Sequence, residues 1–278
     1  MVLWLGGICV EHPAASELLA DVELSIVVPM WNEGARIERT LTVLTEAFRA
    51  RSAEIIISDD GSSDDSADRV HSWIRQNPGA GVVFTSLVRH GGKGAALRQG
   101  IALSSGATVA YIDADLDIPV SELVCLDLLL HQDGRRPDKD VLVGSKRASI
   151  WRTPGVPFAR RIVSSGFAEC VRIAFGLPVR DTQTGLKLFP GPWLRSVVGD
   201  VDLDGFLFDL ELLVRAHADG YRLTEVPVMY APQRRSNRIS FAHLVACVGE
   251  LVRVYWRTPR RRTPRSMPSM EAQDPAHR

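Results

Sequence analysis

The stretch Leu24-Ser25-Ile26-Val27-Val28-Pro29-Met30-Trp31-Asn32-Glu33 decides the fold class. A short β-branched run stops at a proline and turns polar at once. An apolar run without alternation suits a strand buried on both faces of a mostly parallel sheet. The same form recurs along the chain. Glu54-Ile55-Ile56-Ile57-Ser58 ends in Asp59-Asp60-Gly61-Ser62-Ser63-Asp64, and Thr108-Val109-Ala110-Tyr111-Ile112 ends in Asp113-Ala114-Asp115-Leu116-Asp117. Val82-Val83-Phe84 and Val141-Leu142-Val143 are two further runs. Between them Ile37, Leu41, Leu44 and Phe48 share one helical face, as do Leu97, Ile101 and Ala102. Alternating strands and helices predict a doubly wound α/β sheet.

Further along, 158–175 and 203–218 read as helices, and 185–189 and 223–230 as strands. Apolar residues from Phe241 to Trp256 form a helical stripe, which either packs on the body or lies in a membrane interface. Arginines and prolines crowd the tail from Arg257. The expected division is an N-terminal extension (1–22), a body (23–240), an amphipathic helix (241–256) and a disordered basic tail (257–278).

Composition narrows the function. The 278 residues carry 33 Lys+Arg and 33 Asp+Glu, so the formal net charge is zero. That argues against a general nucleic-acid binder. Hydrophobic residues make up 45%, which argues against a disordered chain. No apolar run approaches the roughly 18 residues of a membrane span. The apolar start lacks the basic flank of a signal peptide. The four cysteines are scattered without CxxC spacing, so reduced cytoplasmic thiols are expected.

Ligands of an open α/β sheet bind beyond the carboxyl ends of its strands. Three acidic clusters on that rim repel each other unless a cation sits among them. Carboxylate oxygens select a hard divalent ion, Mg²⁺ or Mn²⁺. His90-Gly91-Gly92-Lys93-Gly94 opens a helix, so its free N–H groups and Lys93 are placed to meet an anion. It is not a Walker A loop, because the spaced first glycine and the Ser/Thr after the lysine are absent. Metal, acidic rim and anion-ready helix start together point to a nucleotide diphosphate. Asp-Asp-Gly-Ser by itself also reads as a turn and helix cap.

At these motifs the sequence resembles the family-two, GT-A-fold glycosyltransferases, in the branch that makes dolichyl- and polyprenyl-phosphate sugars. The matching strings run from Val27-Val28-Pro29 with Asn32-Glu33, through Asp59–Asp64, Gly92-Lys93-Gly94-Ala95, Asp113-Ala114-Asp115 and Gly144-Ser145-Lys146-Arg147, to Arg180-Asp181-Thr182-Gln183-Thr184-Gly185-Leu186-Lys187-Leu188-Phe189, Phe208–Leu213 and Glu225–Val228. The resemblance implies a GT-A fold, α/β with a Rossmann-like, mostly parallel central sheet flanked by helices. It implies that Pro29, Glu33 and Asp60 hold the base and ribose of the donor, with Asn32, Lys93 and Ala114 in the same donor set. Asp113, Asp115 and Asp117 would hold the metal. Arg147, Arg161 and Ser165 would contact an acceptor phosphate. Arg234 and Arg238 would close over the diphosphate.

The implied reaction is inverting transfer of a hexose from UDP-glucose or GDP-mannose to a polyprenyl phosphate. A soluble hydroxyl acceptor is the alternative; it needs a carboxylate base, and Asp181 and Asp209 are the available ones. A nucleotidyltransferase and a silent nucleotide-sugar-binding paralogue are the competing classes. The expected location is the cytoplasm, with a peripheral membrane association through 241–265.

Overall fold

Each central strand feeds two hydrophobic cores, and this explains its unbroken apolar run. In the computed structural model the described residues are 2–5, 8–11, 22–152, 169, 171–201, 203, 205 and 207–232. Strand β3 (Leu24–Met30) sends Ile26, Val28 and Met30 to one face and Val27 to the other. Strand β4 (Ala53–Asp59) divides likewise, Ile55 and Ile57 against Ile56. Strand β6 (Thr108–Ile112) sends Ala110 and Ile112 to the first face and Val109 and Tyr111 to the second.

Helices cover both faces, giving three layers. On the first lie α1 (Ile37–Ala47), α2 (Ser66–Gln76) and α4 (Val120–Leu130). The apolar positions of α1, Ile37, Leu41 and Leu44, fall at helical spacing and are buried. On the second face lie α3 (Lys93–Leu103), α6 (Gly191–Val198) and α7 (Phe208–Ala218). A short α5 (Arg147–Arg152) follows the seventh strand. Helix α7 begins later than expected from the sequence, with Leu207 at its cap.

The sheet order among the described residues is β1-β2-β5-β4-β3-β6-β8-β7-β9. Strands β5 (Val82–Ser86), β4, β3 and β6 are parallel neighbours, and β7 (Asp140–Ser145) is parallel to β9 (Arg222–Pro227). Strand β8 (Leu186–Pro190) runs antiparallel between β6 and β7. Outside the expected body, β1 (Val2–Leu5) and β2 (Ile8–Glu11) form an antiparallel hairpin on the β5 edge. The expected helix at 241–256, the tail and most of 158–175 lie outside the described residues; 171–175 is helical.

Chain order reverses at β3, which pairs β4 on one side and β6 on the other. That reversal opens the crevice where doubly wound sheets bind ligands. Register places the motifs there. Met30 pairs Asp59, and Val27 pairs Tyr111, so two more steps set Asp113 level with Pro29. No helix of the described residues is long and apolar enough to cross a membrane.

Gly106 precedes β6 where the chain presses on β3. A Cβ there would lie 2.5 Å from the Ser25 backbone nitrogen and 2.7 Å from the Thr108 carbonyl oxygen. Neither can rotate away. Gly106→Ala is expected to lower stability by about 1–3 kcal/mol, as overpacking does, and urea denaturation checks this.

Candidate functional site

Two loops are woven together at the ends of β3 and β4. Asn32 adopts a left-handed conformation, φ 54°, which Asn tolerates better than most side chains. Its Oδ1 accepts from the N–H groups of Ser63 (2.9 Å) and Asp64 (3.3 Å), while its own N–H donates to Ser62 Oγ (2.8 Å). The Glu33 N–H donates to Ser66 Oγ at 2.8 Å. The Glu33 carboxylate pairs with Arg36 at 3.1 Å. Asp59 accepts from the Ser62 N–H and from Ser86 Oγ at 2.8 Å. The turn reading of Asp-Asp-Gly-Ser is therefore correct in part, for Asp59 organises the turn.

Asp60 departs from expectation. It is buried, and its carboxylate points at the glycine-rich loop. Oδ1 accepts the Gly91 N–H at 2.7 Å, and Oδ2 accepts the Gly92 N–H at 2.9 Å and lies 2.8 Å from His90 Nδ1. The amides expected to face a phosphate are thus taken by a side chain of the same protein. Gly92 permits this with φ 97°. His90 in turn stacks on the half-exposed Trp31, with ring centroids 4.4 Å apart. Asp60 thus shapes this loop through its carboxylate.

Lys93 also pairs with a carboxylate, although its side chain stays about 36% exposed. Its Nζ lies 2.6 Å from Asp113 Oδ1. Burial works against its charge, but Asp113, Asp209 and Asp115 outweigh it and push the ammonium up to about 12. Asp113 lies tight against the turn before β8. A Cβ on Gly185 would fall 1.9 Å from Asp113 Oδ2, so only glycine leaves that carboxylate its place. Thr40 Oγ1 donates to the Ala114 carbonyl at 2.8 Å, tying the acidic loop to α1. The Asp117 N–H donates to Asp115 Oδ1 at 3.1 Å. Leu116 between them has φ 51°, a costly conformation for a bulky residue that marks the loop as constrained.

Asp113, Asp115 and Asp117 line one cavity with Lys146, Gly185 and Tyr230. Its volume is about 80 Å³, room for several waters or a hydrated ion. Lys146 lies over the Tyr230 ring, 5.5 Å from its centroid. Burial, then the charges of Asp113, Asp117 and Glu33, push the Asp115 carboxyl up to about 6 against the Asp117 N–H. Such a cluster is short of positive charge. The hard oxygen donors and the glycine cradle fit a divalent cation at Asp113 and Asp115. The expected triad is not preassembled: among the described residues no three acidic, His or Cys side chains converge as a metal site. The hydrogen bonds of Lys93 and of the Asp117 N–H hold the acidic loop in another arrangement.

The two expected bases are both committed elsewhere. Asp209 is buried on α7, where its Oδ1 accepts from the Tyr111 hydroxyl and from Lys187 Nζ at 3.1 Å. Burial raises its pKa, but Lys187 and Lys93 more than reverse that and hold the carboxyl below its ordinary value. It is a buried anion held by Lys187 and Tyr111. Asp181 is buried and accepts from the Lys146 N–H at 3.0 Å and the Thr184 N–H at 3.1 Å, capping the loop before β8. Pro29 lies one residue before the end of β3, half-buried and paired with Ser58, and Arg147 begins α5 just after β7. Arg161, Ser165, Arg234 and Arg238 lie outside the described residues.

Sequence reasoning missed Lys146, Tyr230, Tyr111, Lys187 and the cradle role of Gly185. Lys187 did carry a signal, a lone cation inside an apolar strand. The others become visible only where strands β6, β7 and β8 converge.

Two outcomes follow. The raised Asp115 means that the folded protein binds more protons than the unfolded chain between the ordinary 3.8 and about 6. Cation-free stability should therefore rise as pH falls through about 6. Mn²⁺ should raise Tm clearly at about pH 7.5 and little at about pH 5, as thermal melts at both pH values would show. Gly185→Ala should leave a folded protein whose Tm no longer responds to Mn²⁺.

Residues 25–124 match the model of the family "Glycosyl transferase family 2". The chain is 28% identical over 247 residues to the dolichyl-phosphate β-glucosyltransferase of Dictyostelium discoideum, covering 85% of this chain and 75% of that one. In fold it is similar to glucosyl-3-phosphoglycerate synthase from Mycobacterium tuberculosis, solved with Mn²⁺, UDP-glucose and phosphoglyceric acid, with a TM-score of 0.58, 21% identity and coverage of 90% and 86%. It is also similar to the mannosyltransferase PcManGT from Pyrobaculum calidifontis, solved with GDP-mannose and Mn²⁺, with a TM-score of 0.53, 20% identity and coverage of 78% and 59%. Its sheet, its acidic strand ends and these relatives make the chain a nucleotide-sugar-dependent glycosyltransferase of GT-A type, related to the dolichyl-phosphate sugar transferases.

Proposed function

We propose that the chain moves a hexose, with inversion, from a UDP- or GDP-hexose to a small-molecule acceptor bound beside the acidic loop. The observation that carries this reading is the carboxylate pair Asp113 and Asp115, cradled by Gly185 at the switch point of the sheet. The donor would lie across the ends of β3, β4 and β6, its base and ribose near Trp31, Asn32 and Glu33 and its diphosphate near Lys93.

The acceptor hydroxyl forms the new bond at the anomeric carbon and gives its proton to a carboxylate, for which Asp181 behind Lys146 is the candidate. The sugar–phosphate bond breaks and leaves negative charge on the departing nucleoside diphosphate. Groups placed where that charge develops lower the barrier most. A divalent ion held by Asp113 and Asp115 would supply Lewis-acid stabilisation of that diphosphate. Lys93 and Lys146 are the described cations beside the acidic loop. Lys146, braced over Tyr230 and flanked by Arg147, gives the acceptor side a positive wall. Such a wall suits an acceptor carrying a phosphate or carboxylate. The structural relative solved with phosphoglyceric acid supports a soluble acceptor of this kind.

A polyprenyl phosphate is the second reading. Two observations favour it: the names of the curated relatives, and the commitment of both Asp181 and Asp209 to internal hydrogen bonds. A phosphate acceptor is already an anion and needs positioning, not deprotonation. Arg161, Ser165, Arg234 and Arg238 keep their proposed acceptor and diphosphate roles in either reading.

The test is sugar transfer from a panel of UDP- and GDP-hexoses with Mn²⁺ or Mg²⁺. The acceptors are small phosphorylated or carboxylated alcohols and, in parallel, a short polyprenyl phosphate. Product on a soluble alcohol supports the first reading, and product on the lipid alone replaces it with the second. Cleavage of a nucleoside triphosphate with release of pyrophosphate would overturn both. In the active assay Asp115→Ala should lower kcat by at least about 100-fold, the scale of losing one charge-stabilising group, with the circular dichroism spectrum unchanged.

A further inference from the structure

Lysines and aspartates alternate in a chain that runs inward from the acidic loop. Lys93 Nζ lies 2.6 Å from Asp113 Oδ1 at its outer end. At its inner end the fully buried Lys187 Nζ lies 3.1 Å from Asp209 Oδ1 and donates to the Thr184 carbonyl at 2.5 Å. The Tyr111 hydroxyl donates to the same Asp209 oxygen. The charge of Asp209 is also felt at Lys93. Lys93 therefore pairs with one carboxylate of the cavity wall and feels the charge of the buried one.

A lysine kept only for a diphosphate would have its ammonium in the open crevice. Lys93 instead lies on the carboxylate that a cation needs. An ammonium at 2.6 Å and a divalent ion compete for the charge of Asp113 Oδ1. The way out for the ammonium is a change of partner.

We infer that Lys93 is a built-in competitor of the divalent cation: it neutralises Asp113 in the cation-free protein and gives Asp113 up when the cation takes it. This rests on the cation reading of Asp113 and Asp115 proposed above. The exchange has a functional consequence. The displaced ammonium remains beside the diphosphate position, so cation binding and the arming of Lys93 are one event. It also makes cation affinity low until a diphosphate offers Lys93 a new anion. Cation and nucleoside diphosphate should then bind with positive coupling through this side chain, in equal measure either way round.

The experiment is Mn²⁺ titration of the full chain, followed by the electron paramagnetic resonance signal of the free ion. Wild type, Lys93→Met and Asp113→Asn are compared, each with and without UDP or GDP. Lys93→Met is expected to bind Mn²⁺ alone about tenfold tighter than wild type, within the usual range of coupling, and to lose most of the nucleotide-induced gain. Asp113→Asn should bind neither way. A merely structural lysine would weaken Mn²⁺ binding when removed, so a gain is diagnostic. Wild type that binds Mn²⁺, with Lys93→Met equal or weaker, overturns the inference and leaves the cation reading standing. Absence of Mn²⁺ binding in both, even with nucleotide, overturns the cation reading and the inference with it.

Discussion

The carboxylates at the end of β6 need positive charge, and much of the surrounding structure answers that need. Asp113 and Asp115 are brought together by one strand end and are faced by Glu33 and Asp117. Burial, with this repulsion added, pushes the Asp115 carboxyl up to about 6. The protein meets it with a lysine on Asp113, a backbone N–H on Asp115 and a glycine that leaves room for the side chain. Thr40 fixes the loop from the far side through the Ala114 carbonyl. These contacts draw on α1, α3, β6 and the turn before β8, so the site is a junction of elements distant in sequence.

Beneath the junction lies the Lys187–Asp209–Tyr111 cluster. Burying a charge is costly unless it is paired and hydrogen-bonded, and removing one partner of a buried pair costs about 3–5 kcal/mol. Here the pairing is complete. Lys187 reaches Asp209 and the Thr184 carbonyl, and Asp209 also receives the Tyr111 hydroxyl. The cluster joins α7 to β6 and β8 and fixes the turn that carries Gly185. Its negative member is placed where Lys93 can sense it. Stability and site electrostatics therefore rest on the same few side chains.

The sides proposed for donor and acceptor are organised differently. On the donor side, side chains that look free in sequence are used to shape loops. Asp60 occupies the amides of Gly91 and Gly92, Asn32 holds the turn after β4, and Asp59 gathers Ser62 and Ser86. What remains open is an aromatic and imidazole surface, Trp31 on His90. On the acceptor side, Lys146 and Tyr230 face the acidic loop across the cavity. The Ala231 N–H donates to the Asp117 carbonyl at 2.8 Å, linking the segment after β9 to that loop.

Local sequence determined the five apolar strands, the helices between them and the crowding of acidic motifs at strand ends. It could do so because burial on both faces leaves an unbroken β-branched run, and because loops after parallel strands must carry the polar residues. Other features were settled only by tertiary structure. The antiparallel β8 between β6 and β7 depends on pairing partners far apart in the chain. So does the β1–β2 hairpin on the β5 edge. Asp60, Asp181 and Asp209 carry the residue type of donor ligand or base, yet each is bound to partners that no local pattern reveals. A motif states which charges a segment brings. Which of those charges stay free for a ligand depends on the hydrogen-bond donors that the fold packs against them, and these come from other strands and helices.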